Sequence, residues 1–413
     1  MKKKIVVVGG LVILLAGGLL GAFVLRRLHE SRNVHGSSTE EFVTTEKKHP
    51  FTLHEGIQWP MYGFDPARQR APDGVKLRPP FRPIWAFNAQ TLVEFPPAVA
   101  YRHLYFANGH GLLFALDRRT KRVTWSYASR RCTAASPAVE DRVVYESFMN
   151  HPPCSASRSG IDGELVAFNA LTGKILWRKR LAPTESSPLV VNGLVYVGDW
   201  SGKIYAFDAE NGRARWSYAT GGKIKGAVAF AGGRIYIGSY DSHVYALNAR
   251  TGRLVWRAAA QQRLGPRGTF YSTPAVRYGR VYIGSTDGKV YSYGAASGKL
   301  RWSYGTGGYV YASPAVWNRR VFVGSYSGTF YCFDAATGEV RWRFTAKGPI
   351  SGSAVVLNGV VYFASLGGPT YALDTRSGKL LWSFAHGEYA APVSAGRQLY
   401  VTGYARMFSF VEK

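Results

Sequence analysis

Residues 320–342 read RVFVGSYSGTFYCFDAATGEVRW, and nearly the same phrase is written again and again along the chain. Each copy closes on a tryptophan: Trp85, Trp125, Trp177, Trp216, Trp256, Trp302, Trp342 and Trp382, mostly at intervals of about 40 residues, which is the mark of a repeat fold. The phrase parses into four short strands. Ser313-Pro314-Ala315-Val316 opens the first, Val321-Phe322-Val323 is the second, Thr329 to Phe333 the third and Glu339 to Phe344 the fourth. Tyr326-Ser327-Gly328 supplies a tight turn after strand two. Asp334-Ala335-Ala336-Thr337-Gly338 supplies one after strand three, its aspartate able to accept from backbone N–H groups two residues on and its glycine able to take positive φ. Runs such as Val281-Tyr282-Ile283 are apolar without alternation, so both faces of each small sheet are buried, as in a propeller blade.

The ends of the chain close the ring. Pro83-Ile84-Trp85-Ala86-Phe87 is a fourth strand with no first three, and the last repeat, past Tyr404, stops before its own fourth. The two halves complete one blade, which with seven internal blades predicts an all-β, eight-bladed propeller of four-stranded blades. An open array would leave both as exposed edges.

Phe207-Asp208-Ala209-Glu210-Asn211-Gly212-Arg213-Ala214-Arg215-Trp216 resembles the repeat of the pyrroloquinoline quinone-like eight-bladed propeller family. Trp59-Pro60-Met61-Tyr62-Gly63-Phe64-Asp65-Pro66 resembles the leader that often precedes such domains. The resemblance runs from Trp59 to the end. It implies that the repeated tryptophans are structural, each docking on the neighbouring blade. It does not choose a function, because the family holds quinoprotein alcohol dehydrogenases and the propeller lipoprotein of the outer-membrane barrel-assembly machine, with shared blades and different sites. Some turns depart from the pattern: Lys121 stands where the turn glycine belongs, Gly294 where the aspartate belongs, and Asn169 and Asn248 replace aspartate in two others.

A quinoprotein reading implies a vicinal cysteine pair over the quinone and a carboxylate and amide set holding Ca²⁺. No Cys-Cys occurs. The loops expected at the top of the channel carry Arg130, Arg131, Glu185, Lys223, Lys225, Tyr309, Tyr311, Lys347, His386 and Glu388, of which only Glu185 and Glu388 are carboxylates, whereas a hard cation wants several oxygens together. No catalytic, cofactor-binding or metal residue is therefore assigned. A dehydrogenase using pyrroloquinoline quinone with calcium stands as the alternative.

Four segments precede or form the domain. Residues 1–27 form a membrane anchor: Met1-Lys2-Lys3-Lys4 precedes an apolar run from Ile5 to Leu25 that Arg26 and Arg27 stop, long enough to cross a bilayer. A cleaved signal peptide is the rival reading. Residues 28–58 are a polar tether, 59–80 the leader and 81–413 the propeller. Lys and Arg total 52 against 25 Asp and Glu, a net charge of +27, which implies anionic company. For an exported, monomeric propeller that company is an anionic membrane surface and not nucleic acid.

One end of the ring reads as the working face. Insertions fall around Phe148 to Cys154 and around Gln261 to Arg267, in loops that emerge on the same side. On that side the tip of the turn between strands two and three is Trp200, Tyr240, Tyr326 or Tyr404 in four blades. These aromatics are the candidate ligand-binding residues, for an envelope protein or polysaccharide; packing over the adjacent turn is the other reading. Cys132 and Cys154 lie in loops of that face and pair if the compartment is oxidising. Cys332 takes the place of Ala206, Ala246 and Ala372 and reads as core. The opposite end gathers Arg118, Arg119, Lys121, Arg122, Lys174, Arg213, Arg253, Lys299, Arg376 and Lys379, and the path of the chain into Trp85 predicts that this basic end is the anchored one.

Overall fold

The computed structural model describes residues 20–44, 51–154 and 162–413. Eight antiparallel sheets form a ring. Blade six is representative: Ala315–Trp317 lies innermost, followed outward by Arg320–Gly324, Thr329–Asp334 and Val340–Thr345. The two middle strands are buried on both faces, and the outer strand is exposed at every second residue. Blade eight joins Phe81–Asn88 to Arg406–Glu412, with Trp85 opposite Ser409, so the ring closes between its first and last blade strands.

The tryptophans couple each blade to the next. Trp302 Nε1 and the Tyr282 hydroxyl both donate to the Ala335 carbonyl, each at 3.0 Å, in the turn of blade six. Gly338, at φ 77°, packs on the same indole so closely that a Cβ would lie 2.7 Å from Trp302 Cδ2. Trp125, Trp177, Trp216 and Trp256 repeat the bond to Ala170, Ala209, Ala249 and Ala295, and Trp342 to Thr375. Trp382 faces blade eight, whose third and fourth strands come from distant parts of the chain with no turn between them, and packs instead on Phe81 and Phe410. Lys121 takes the glycine's left-handed conformation, φ 62°.

The leader fills the channel from below. Ile57–Trp59 pairs with the inner strand of blade one. The carbonyls of Pro60, Pro66, Ala67, Gln69 and Arg70 then accept from Val139, Phe230, Val276, Val316 and Val356, at 2.7–2.9 Å, on the inner strands of blades two, four, five, six and seven. Arg68 and Arg70 sit at φ 58° and 56°, turning successive carbonyls outward to different blades. The Arg68 guanidinium, fully buried, donates to Val228 O at 2.9 Å, Pro188 O at 3.2 Å and Tyr62 O.

The segment expected to be a tether follows a defined path where it is described. Residues 20–30 are helical, and the helix end meets the loop of blade five: Arg27 bonds Gln262, and Gln261 Nε2 donates to Glu30 O and Arg32 O at 3.1 Å. Val34 bridges Ser303 on the outer strand, and Val43 N–H donates to Tyr278 O at the far end of the blade. Between them Glu41 occupies the place left by Gly294. Glu41 Oε1 accepts from Ala296 and Ser297 N–H at 3.0 Å, as Asp334 Oδ1 accepts from Ala336 and Thr337 at 2.9 and 3.0 Å in blade six. Its Oε2 meets Arg301, as Asp334 Oδ2 meets Arg341. A carboxylate distant in sequence thus restores the missing turn aspartate.

This path corrects the expected orientation. The helix end lies beside the Gln261 to Arg267 insertion, on the aromatic face, and not at the basic end; the strap then descends blade five before the chain reaches the leader. Among the described residues no helix is long and apolar enough to cross a membrane, and most of the Ile5 to Leu25 run lies outside them.

Candidate functional site

Above the leader, the channel opens as a funnel toward the aromatic face. Its wall is written three residues before the proline, or its equivalent, that begins each inner strand: Glu94, Ala134, Glu185, Lys225, Tyr271, Tyr311, Ser351 and Tyr389. All but Ala134 line the funnel. The same loop in each blade delivers one side chain, so the repeat makes a ring of chemically different groups on one rigid frame. Two residues further along lies a ring of hydroxyls that ties blades together. Ser136 N–H donates to Ser187 Oγ at 2.9 Å, Ala227 to Thr273 at 2.8 Å, Thr273 to Ser313 at 3.0 Å and Ser313 to Ser353 at 3.1 Å. Tyr62 of the leader closes the floor, its hydroxyl 2.5 Å from Ser353 Oγ and 3.3 Å from Ser313 Oγ.

The rim is aromatic and charged. Lys225 Nζ lies 3.1 Å from Glu185 Oε1 and 4.6, 5.7 and 5.6 Å from the ring centres of Trp200, Tyr240 and Tyr271. Lys223 Nζ stands 4.8 Å from the Trp200 ring. The arc continues through Tyr311, 5.1 Å from Tyr271 and 4.9 Å from Tyr326, and on to Tyr309, 5.7 Å from Tyr311. Such rings hold a cation by their π faces and offer flat surfaces to a ligand. Burial pushes Glu94 up to about 7, helped by the charge of Glu185. Burial also raises Glu185, against the pull of Lys225.

Three of the four expected aromatics, Trp200, Tyr240 and Tyr326, therefore sit in one arc, while Tyr404 stands apart on blade eight, 58% exposed. Arg131 turns away to Asp162 at 2.9 Å and Glu164 at 3.6 Å, and Lys347, His386 and Glu388 do not line the funnel. Glu94, Tyr271 and Tyr389 were not singled out from sequence, although aligning the repeats on the inner-strand proline places all three in the ring. Cys132 and Cys154 are joined by a disulfide, Cα–Cα 5.5 Å, that fastens the blade two insertion to the preceding loop.

The donor set does not suit a Ca²⁺-bound quinone. The funnel carboxylates are Glu94 and Glu185, the second already paired with an ammonium. No group of three or more His, Cys, Asp or Glu side chains among the described residues could hold a metal ion.

Comparison with known proteins places the chain. It is 26% identical over 217 residues to the quinoprotein alcohol dehydrogenase PedH of Pseudomonas putida, covering 45% of this chain and 33% of that protein. It is 30% identical over 124 residues to the outer membrane protein assembly factor BamB of Bordetella pertussis, 30% of this chain and 29% of the relative. These matches span about a third of each relative's length. The crystal structure of BamB from Moraxella catarrhalis shares the fold, with a TM-score of 0.65 at 18% identity over 80% of this chain and all of that one. The family model described as outer membrane protein assembly factor BamB matches residues 161–309 and 305–409. The chain belongs to that family of PQQ-like repeat propellers.

Proposed function

We propose that this propeller is an extracytoplasmic binding or assembly scaffold, anchored through residues 5–25, that receives an envelope protein or polysaccharide on its funnel face. The observation that carries this reading is the rim. Trp200, Tyr240 and Tyr271 surround Lys225, and the arc continues through Tyr311 to Tyr326; Trp200, Tyr240 and Tyr326 sit at turn tips, where folding alone asks nothing of a large ring. Tyr and Trp at such a site give rigid contact area with a polar handle. The strap supports the reading as well: the end of the 20–30 helix lies at the funnel end of blade five, so an anchor running on from that helix would hold the funnel close to the membrane. Relatives named as assembly factors and as quinoprotein dehydrogenases share these blades, and the funnel's donor set favours the first class.

Two assays on the full-length protein separate the classes. Binding to purified envelope protein and polysaccharide fractions should be saturable. Dye reduction with alcohols, in the presence of pyrroloquinoline quinone and Ca²⁺, should stay at background. Dye reduction that needs both additions would replace the scaffold with the dehydrogenase.

A further inference from the structure

The funnel floor holds more positive charge than it neutralises. Arg68 and Arg70 are both buried, and Asp65 is the carboxyl beside them, pushed up to about 6 by burial against the pull of the two arginines. Arg68 spends its nitrogens on leader and blade carbonyls. Arg70 does not. It is 2% exposed and lines the funnel; Nη1 donates to Arg68 O at 2.7 Å and Pro314 O at 3.2 Å, and the Tyr62 hydroxyl lies close enough to interact with the guanidinium. Nε and Nη2 make no hydrogen bond among the described residues. Leaving charged N–H groups buried and unpaired is costly. These two nitrogens form the flat edge of the guanidinium that meets two coplanar oxygens at once. The Tyr62 ring lies under the guanidinium, 4.7 Å from its centre, with its hydroxyl in the serine ring.

We propose that the funnel floor binds a carboxylate, free or at the end of a chain, on the Nε–Nη2 edge of Arg70, with the Tyr62 hydroxyl as the neighbouring donor. A carboxylate fits on two counts. One free edge balances one negative charge, and two coplanar oxygens match two parallel N–H groups, whereas a phosphate brings more charge and more oxygens than the floor has free donors. The inference deepens the scaffold reading by naming what reaches the bottom of the funnel. Its test is independent of the rim, so each can fail without the other.

The full-length protein is titrated with ¹³C-acetate at pH 7 and constant ionic strength in chloride, and binding is followed by saturation-transfer NMR. Inorganic phosphate and a short peptide, with free or amidated carboxyl terminus, form the other arms. Saturable acetate binding is expected. Arg70→Lys, which keeps the charge and removes the fork, should weaken it at least about tenfold, equal to about 1.4 kcal/mol. Tyr62→Phe should weaken it several-fold, and Arg376→Gln at the opposite end should leave it unchanged. Should Arg70→Lys fail to fold, Tyr62→Phe decides. Preference for the free-acid peptide over acetate would identify a chain end as the source; acetate alone would identify a small acid. No saturable acetate signal, equal binding by Tyr62→Phe and Arg70→Lys, tighter phosphate than acetate, or amidated peptide binding as well as free acid would overturn the proposal.

Discussion

Gly294→Asp should release the amino-terminal strap while leaving blade five intact. In blades one to four, six and seven an aspartate or asparagine at this position accepts the two turn N–H groups from within the blade; here Glu41 does so from outside. Gly294 has no left-handed φ, so a side chain is tolerated by the backbone, but a Cβ there would overlap Glu41 Oε2. The new aspartate should take over Ala296, Ser297 and Arg301 and expel Glu41. What the strap loses is a two-pronged bond to Arg301, at 3.1 and 2.7 Å, the two N–H bonds and one from Ser297 Oγ at 2.7 Å. Arg301 is only 14% exposed, so solvent screens the pair weakly, and the loss is worth about 2–4 kcal/mol. Hydrogen exchange reads it directly. The amides of Val34, Gly36 and Val43, bonded to Ser303, Thr337 and Tyr278, should exchange faster by roughly 30-fold or more, while inner-strand amides of blade five keep their protection. Gly294→Ala expels Glu41 without replacing it, and should also weaken the turn. Acid should mimic the release. Burial opposes ionisation of Glu41, but Ser297 and Arg301 hold it below its ordinary value of 4.5, so its contribution is present above that pH and is lost as pH falls through the folded value. Unchanged exchange at Val34 and Val43 in Gly294→Asp would refute the latch.

Glu146 is fully buried where other blades have Val197, Ile237 and Val323, its Oε2 makes no hydrogen bond among the described residues, and burial raises it well above 4.5. A raised acid costs stability as pH rises above its unfolded value, by about 1.4 kcal/mol per pH unit up to the folded value. Glu146→Val should therefore melt higher than wild type at pH 7, by a margin that shrinks toward pH 4; a margin independent of pH would contradict this. Cys132 and Cys154 should resist alkylation without reductant in protein taken from the cell envelope, and mass mapping that finds both free there would count against an oxidising location. Gly338→Ala should destabilise by about 2–3 kcal/mol, from left-handed strain and displacement of the Trp302 indole, seen as a lower melting point with the ring otherwise intact.

The ring was legible because its causes are periodic. Tryptophan, turn aspartate and turn glycine recur with the blade, and the orphan strand around Trp85 announced the closure. The funnel was half legible: its wall obeys the same period, but Glu94, Tyr271 and Tyr389 share only a position and not a residue type. The leader's role was hidden because it works through backbone carbonyls, which any residue carries. The strap was hidden for a related reason. Gly294 is visible as a departure, yet nothing local to Glu41 says that it supplies the absent carboxylate, and that long-range pairing is what sets the end of the 20–30 helix at the funnel end and not at the basic end.

The most direct test of the account is the binding of full-length protein and of Trp200→Ala/Tyr326→Ala to the same purified envelope ligands, with melting measured alongside. Both rings belong to the rim arc and neither belongs to a blade core. At about 1–3 kcal/mol per recognition aromatic, the double variant should bind at least about tenfold more weakly while melting within a degree or two of wild type. Unchanged affinity with a large drop in melting temperature would show that the arc serves folding, and would contradict the account.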